Sequence, residues 1–405
     1  MEDILLSHAG RQHSYKVALS LQRIGRLDKF VTTGYYKPSR YPDRLLSGIK
    51  SIDKALRKRY EPGLEQKVVR LPFLEIPELL SRAIFGNSTL SSHAVCLRDS
   101  IFDSIVSKAY IKNCKAFWGF QGSCLESLNR ARTKGIKAIA EFATAHVLAA
   151  LSILGMEKEN NPEWADSIGN LNFPGWYTER LKKEPFAADY CIAASTFTRK
   201  TLEEAGVEPE KILMLPLGAD LTKFQFKEKR KKNNLQILFV GSVGQRKGIK
   251  YLIDAVKKIN SAQVSLKVIG PIIGSGKAFK ANSACYNYLG KLSQEDIVKN
   301  MHECDCLILP SLFEGFGLVI PEAMATGTPV IASTSSAGPD IIRPGIDGFL
   351  VEPCDTDDLA GKIEWLASNK DKVPEMGRAA SQRAKEFSWD AYNIRLGSIL
   401  ERMSI

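Results

Sequence analysis

The chain has little of what most metal and redox sites need. It holds five histidines in 405 residues, and its eight cysteines form no Cys-x-x-Cys pair. Cys304 and Cys306, in "HECDCLILP", are the only close pair, and no His or Cys pair complements them. A zinc site asks for about four such ligands, so buried reduced thiols are expected and no metal is predicted. Long apolar runs are missing too. "IAEFATAHVLAALSILG" is broken by Glu141 and His146 and is too short to span a membrane. "MEDILLSHAG" has neither the basic start nor the apolar stretch of an export signal, which leads to an expectation of a cytoplasmic protein. The "NST" at Asn87 then carries no glycosylation meaning.

What is present is ordinary for a soluble globular protein: 44% hydrophobic and 25% charged residues. The length exceeds one ordinary core, so two domains are expected. The net charge of +11 is concentrated early, with fifteen Lys or Arg against seven Asp or Glu in residues 1–70. In "KPSRYPDRLLSGIKSIDKALRKRYEPG", Leu45, Leu46, Ile49, Ile52 and Leu56 recur at roughly helical spacing among basic residues. Such a segment can lie on an anionic membrane face, here the inner one. Equally, it can be a solvated helix packed on its own domain, or a lid. No nucleic-acid partner is expected.

Apolar β-rich runs alternate with helical stretches throughout, the rhythm of parallel sheets with helices on both faces. One cycle runs from "DILLSHA" to "TFTRKTLEEAG", and a second from "LQILFVGS" to "TDDLAGKIEWLASN". The joint falls at "LPLGADLTKFQFKEKRKKNN". The division is therefore 1–217, 218–385, and a last helix, 386–405, that can cross back to the first half. The fold class is α/β, with two Rossmann-like domains facing a cleft. Ligands in such sheets bind beyond the carboxyl ends of the strands.

The densest chemistry lies in "FEGFGLVIPEAMATGTPVIAS", residues 313–333. Gly315 and Gly317 allow positive φ and keep side chains away from the main chain. A helix begins near Leu318, and its free N–H groups suit a diphosphate or sugar hydroxyls. Glu314 in the loop and Glu322 in the helix can each accept hydrogen bonds from a diol. Two other acidic clusters are discounted: "DTDDL" reads as helix-capping carboxylates, and "ECDCL" places its acid at a strand start.

This stretch resembles the E-x7-E signature of glycosyltransferase family 4, retaining and metal-independent enzymes of the GT-B fold. The resemblance extends to "ILFVGSVGQRKGIKYLIDA", "YLGKLSQEDIVKNMHECDCLILPS", "AGPDIIRPGIDGFLVEP" and "FSWDAY". It implies that Glu322 binds the nucleotide ribose and Glu314 the donor sugar, with Gly315, Phe316, Gly317, Leu318 and Val319 offering main-chain amides. It implies that Lys247 holds the diphosphate. The family's partner arginine falls on Ser242, a departure that Arg246 can offset. Gly290 and Lys291 would frame the base, and Gly10 the phosphates. His146 would contact the sugar near the reaction centre. Asp340 stands where the family more often has Glu.

The implied reaction moves a sugar from a nucleoside diphosphate to an acceptor hydroxyl of a glycan or a lipid-linked carrier, with retention and no cofactor. The rivals are a nucleotide-sugar-binding scaffold without turnover, a GT-B epimerase, and a phosphorylase, for which no lysine in a pyridoxal phosphate setting is evident.

Overall fold

The computed structural model describes residues 2–41, 43–46, 56–86, 88–168, 173–229 and 233–405. Residues 47–55 and the side chains of Leu45 and Leu46, on which the basic amphipathic pattern rests, lie outside what is described, as does Asn87.

The chain forms two parallel sheets. The first has seven strands: β1 (Glu2–His8), β2 (Leu27–Thr32), β3 (Val68–Arg70), β4 (Cys114–Phe120), β5 (Lys137–Phe142), β6 (Tyr190–Ala193) and β7 (Ile212–Met214). Their order is β3-β2-β1-β4-β5-β6-β7. The second has six: β8 (Leu235–Val240), β9 (Val264–Ile269), β10 (Asn287–Gly290), β11 (Cys306–Leu309), β12 (Val330–Ser333) and β13 (Gly348–Val351), ordered β10-β9-β8-β11-β12-β13. Consecutive residues Ile4, Leu5 and Leu6 are all buried, which explains why these strands read as apolar runs rather than alternations. Leu6 and Trp118 pack on one face of the first sheet with Val17 and Leu21 of helix Ser14–Arg23. Leu5 and Phe117 pack on the other with Phe102 and Val106. In the second sheet, Ile237, Phe239 and Ile308 meet helices Ile249–Ile259 and Thr356–Ser368.

The last helix, Trp389–Arg402, does cross back. Tyr392, Leu396 and Leu400 are buried with residues of the first sheet, and Lys137 donates to the Met403 carbonyl. The expected boundary at 217 separates the two sheets but not all the packing. The turn Pro162–Ser167 docks on the second domain: Trp164 joins the core around Ile237 and Phe239. Asp166 accepts from the Ser275 N–H at 2.8 Å, and Ser167 Oγ from the Gln245 N–H at 3.2 Å. Helix Val147–Asn160 leads into that turn and carries Glu157, whose carboxylate accepts from Tyr251 at 2.7 Å and from Gln245. The two discounted acids also have places. Asp355 caps helix Thr356–Ser368, and Asp305 accepts from the Gln236 N–H at 2.7 Å. Among the described residues no helix is long and apolar enough to cross a membrane.

Candidate active site

The segments after the carboxyl ends of β1, β4 and β5 face those after β8 and β11 across a cavity of about 680 Å³. The second domain supplies Arg246, Phe313, Glu314, Phe316, Gly317 and Leu318 to its wall. Arg246 and Glu314 form a cluster there with Lys247, which reaches Glu314 but does not itself line the cavity. Glu314 accepts from Lys247 and, at 3.2 Å, from Arg246 Nη1, which also donates to the Phe313 carbonyl at 3.3 Å. The Arg246 guanidinium lies 5.6 Å from the centre of the Phe313 ring. Burial works against the Glu314 carboxylate, but Lys247 and Arg246 outweigh it and hold its pKa below the usual range. Burial lowers the Lys247 ammonium, opposed by Glu314. The cluster has two cations to one acid, an excess of positive charge inside a cleft. Ser242 is followed four residues later by a guanidinium that faces the cavity.

The loop that carries Glu314 is fixed from both sides. Its N–H donates to the Ser335 carbonyl at 2.8 Å. Only one of its glycines takes the expected backbone: Gly317 has φ +81°, whereas Gly315 does not have positive φ. Gly315 is small for another reason. A Cβ there would lie 1.6 Å from the Ala143 carbonyl oxygen of the first domain. The Gly315 carbonyl also accepts from Thr198 at 3.4 Å, so this glycine is an interdomain contact rather than an open amide. Asp340 makes a second contact of this kind, accepting from the Thr196 N–H at 2.9 Å and from its hydroxyl. Phe316 is buried, and Val319 opens helix Val319–Ala325, which Gly327 ends at φ +82°.

Glu322 differs from Glu314. Its carboxylate has no hydrogen-bond partner among the described residues. Burial and then Asp220 push its pKa up to about 7, against Lys223. It faces the linker rather than the Glu314 cluster and is not part of the cavity wall. Gly290 has φ +70° and its carbonyl accepts from the Gly270 N–H at 2.8 Å. With Gly241 and Gly270, it leaves the carboxyl ends of β8, β9 and β10 without side chains. Lys291 beside it is exposed, and neither residue lines the cavity.

The first domain departs most from expectation. Gly10 lines the cavity, but His146 does not. His146 is 1% exposed at the start of helix Val147–Asn160, and its N–H donates to Thr201 Oγ1 at 3.0 Å. Both ring nitrogens lack partners among the described residues, and burial, then Lys182, lowers the ring's pKa. Its neighbours Ala145 and Val147 face the cleft in its place. One histidine that does face it is His13, next to the start of helix Ser14–Arg23. Its Nε2 lies 2.6 Å from Glu141 Oε1, while Glu141 Oε2 accepts from Trp118 Nε1 at 2.9 Å. Before it, Gln12 holds φ +29°, a strained setting for a non-glycine residue at a cleft edge. His8 also lines the cavity, and burial drives its pKa down to about 3, so its ring is neutral. An acid closing an otherwise apolar strand, Glu141, was the signal available in the sequence.

HepE of Anabaena in complex with UDP superposes with a TM-score of 0.63 at 16% identity, covering 99% of this chain and 100% of that one. Sucrose-phosphate synthase of Thermosynechococcus elongatus gives 0.65 at 17% identity, covering 100% and 99%. The chain has the GT-B fold. Within its GT-B frame, residues 220–386 match the family model described as glycosyl transferases group 1. Over 209 residues the chain is 30% identical to the MMP alpha-(1->4)-mannosyltransferase of Mycolicibacterium hassiacum, covering 50% of this chain and 51% of the relative. Over 271 residues it is 28% identical to the D-inositol 3-phosphate glycosyltransferase of Rhodococcus erythropolis, covering 61% and 59%. The chain spans about half the length of the first curated relatives it matches.

Proposed function

We propose that this protein is a retaining glycosyltransferase that moves a sugar from a nucleoside diphosphate to a hydroxyl of a glycan or lipid-linked acceptor, in glycan or surface polysaccharide synthesis. The observation that carries the reading is the Arg246–Lys247–Glu314 cluster on the second-domain wall. A diphosphate entering the cleft competes with Glu314 for the two cations. The carboxylate so released turns to the sugar hydroxyls. Glu322, which has no hydrogen-bond partner among the described residues, takes the ribose diol, and the open space beside Gly290 offers room for the base.

When the bond between the anomeric carbon and the phosphate oxygen breaks, Arg246 and Lys247 stabilise the charge left on the diphosphate. The acceptor oxygen bonds to the same face of that carbon, and its proton passes to the departing phosphate. The His13–Glu141 pair lies on the acceptor side and orients the incoming hydroxyl by hydrogen bonding. The contacts at Gly315 and Asp340 hold the halves together and exclude water, which limits donor hydrolysis. Arg246 and Lys247 carry the neutralisation in this scheme, so no metal cofactor is invoked.

A panel of nucleoside diphosphate sugars, assayed for release of the nucleoside diphosphate with and without an acceptor extract, tests the reading. Acceptor-dependent release from one donor is expected. Binding without release would favour the scaffold, and a changed sugar configuration without transfer would favour the epimerase.

A further inference from the structure

A helix on a soluble domain ordinarily turns its apolar residues inward. Helix Ile76–Phe85 does the reverse. Its polar groups face the domain: Glu78 pairs with Arg98 of helix Thr89–Ala109, and Ser81 Oγ lies 3.2 Å from Ser91 Oγ. Ile76, Leu79, Leu80, Ile84 and Phe85 point outward, each more than half exposed, and no residue of the helix is buried. Leu90, Leu97 and Ile101 of helix Thr89–Ala109 continue the exposed apolar surface. A patch of this size is costly in water unless something covers it.

The charges around it lean to one sign. Most nearby acids are matched by a cation: Glu61 by Lys16, Glu75 by Arg59, Glu78 by Arg82, and Asp99 by Arg98, while Glu65 accepts from the Tyr60 hydroxyl and keeps its charge. Arg82 stays half exposed on the helix. Lys58 is exposed on the turn that Arg59 ties to Glu75, just before the helix, and Arg40 is exposed on the adjoining segment. We infer that this apolar face, flanked by basic side chains, docks on an anionic lipid bilayer. Apolar side chains enter the boundary of the acyl chains while the cations meet lipid headgroups. A second copy of the chain would bring Lys58 and Arg40, unpaired among the described residues, against like charge, which argues against self-association through this face. Docking does not depend on the transferase reading. One consequence does: helix Thr89–Ala109 also supplies Arg98 and Asp99 to the cleft, so docking would hold the acceptor side close to a lipid-linked substrate.

The test is sedimentation of the whole chain with phosphatidylcholine vesicles, with and without phosphatidylglycerol. Wild type should pellet with the anionic vesicles and be released by salt. Leu79→Glu/Ile84→Glu should bind at least about tenfold more weakly, with an unchanged melting temperature, since both side chains are outward. Amide exchange should show protection of residues 76–85 by anionic vesicles alone. Nucleoside diphosphate release with a water-soluble acceptor should be unaltered by the double substitution, which separates this test from that of the transferase. Equal vesicle binding by both proteins would overturn the inference. So would wild type that ignores vesicles while the double variant melts earlier, which would mean that another part of this chain covers the face. A wild-type dimer that the variant turns into a monomer would also overturn it, in favour of a second copy.

Discussion

The two walls of the cleft are built on the same plan and filled with opposite chemistry. Both present loops at the carboxyl ends of parallel strands. The second-domain wall concentrates charge: Arg246 and Lys247 converge on one carboxylate. The first-domain wall has charged groups too but balances them, Arg98 against Asp99 at 2.6 Å, beside the neutral His8 and a histidine engaged with the buried Glu141. Work is divided between the walls accordingly. A wall with surplus positive charge suits a ligand part that is always the same and always anionic. A wall of hydrogen-bonding groups suits a part that must be oriented and then lose a proton.

Removing charge from the second-domain wall should have the largest effect. Glu314→Ala is expected to lower transfer by roughly a thousandfold, read as nucleoside diphosphate release under saturating donor. Lys247→Ala should in addition cost about 3 kcal/mol in chemical denaturation, because it leaves Glu314 short of its nearest cation in a buried site. If these variants transfer sugar normally, the two walls are not specialised as described.

The first-domain wall should respond differently. His13→Ala is expected to lower the rate by roughly a hundredfold while leaving nucleotide affinity within about twofold, the pattern of a group that acts on the acceptor. A loss of nucleotide affinity in place of rate would place His13 on the donor side and erase the division of labour. Gly315→Ala tests the join between the walls. The added methyl meets the Ala143 carbonyl, so the halves must separate slightly, with a fall in transfer of about tenfold or more.

Glu322 should give the smallest effect. Its pKa of about 7 means that the ligand-free protein prefers it protonated. Stability from that preference is present below the ordinary carboxylate range and is lost as pH rises through about 7. A ribose diol donates to the ionised form, so nucleotide binding should release a proton and tighten by up to about tenfold between roughly pH 5 and 8. Calorimetry in buffers of different ionisation enthalpy would read the proton, and Glu322→Gln should flatten the profile.

The architecture was legible because strands buried on both faces leave apolar runs, and the helices between them leave a different period. The place of Glu314 at the cleft was legible because glycine and acid at those spacings suit few structures, whereas Glu322, read with it, lies off the cavity wall. What the sequence left hidden depends on distance along the chain. Lys247 meets Glu314 across 67 residues and His13 meets Glu141 across 128, and no local pattern announces either. His146 follows a strand toward the cleft yet ends up beneath it, because its N–H is taken by Thr201. Trp164 read as part of the first domain and packs in the second. The outward apolar face of helix Ile76–Phe85 was equally out of reach, since an amphipathic pattern does not say which side turns in.

The proposed transfer requires the second-domain wall to receive the diphosphate. A crystal structure with a nucleoside diphosphate bound tests this directly. The phosphates are expected to lie against Arg246 and Lys247, with Glu314 released from at least one of them and the ribose on Glu322. A nucleotide bound outside the cleft, or inside it with the Glu314 cluster unchanged and the phosphates held elsewhere, would contradict it.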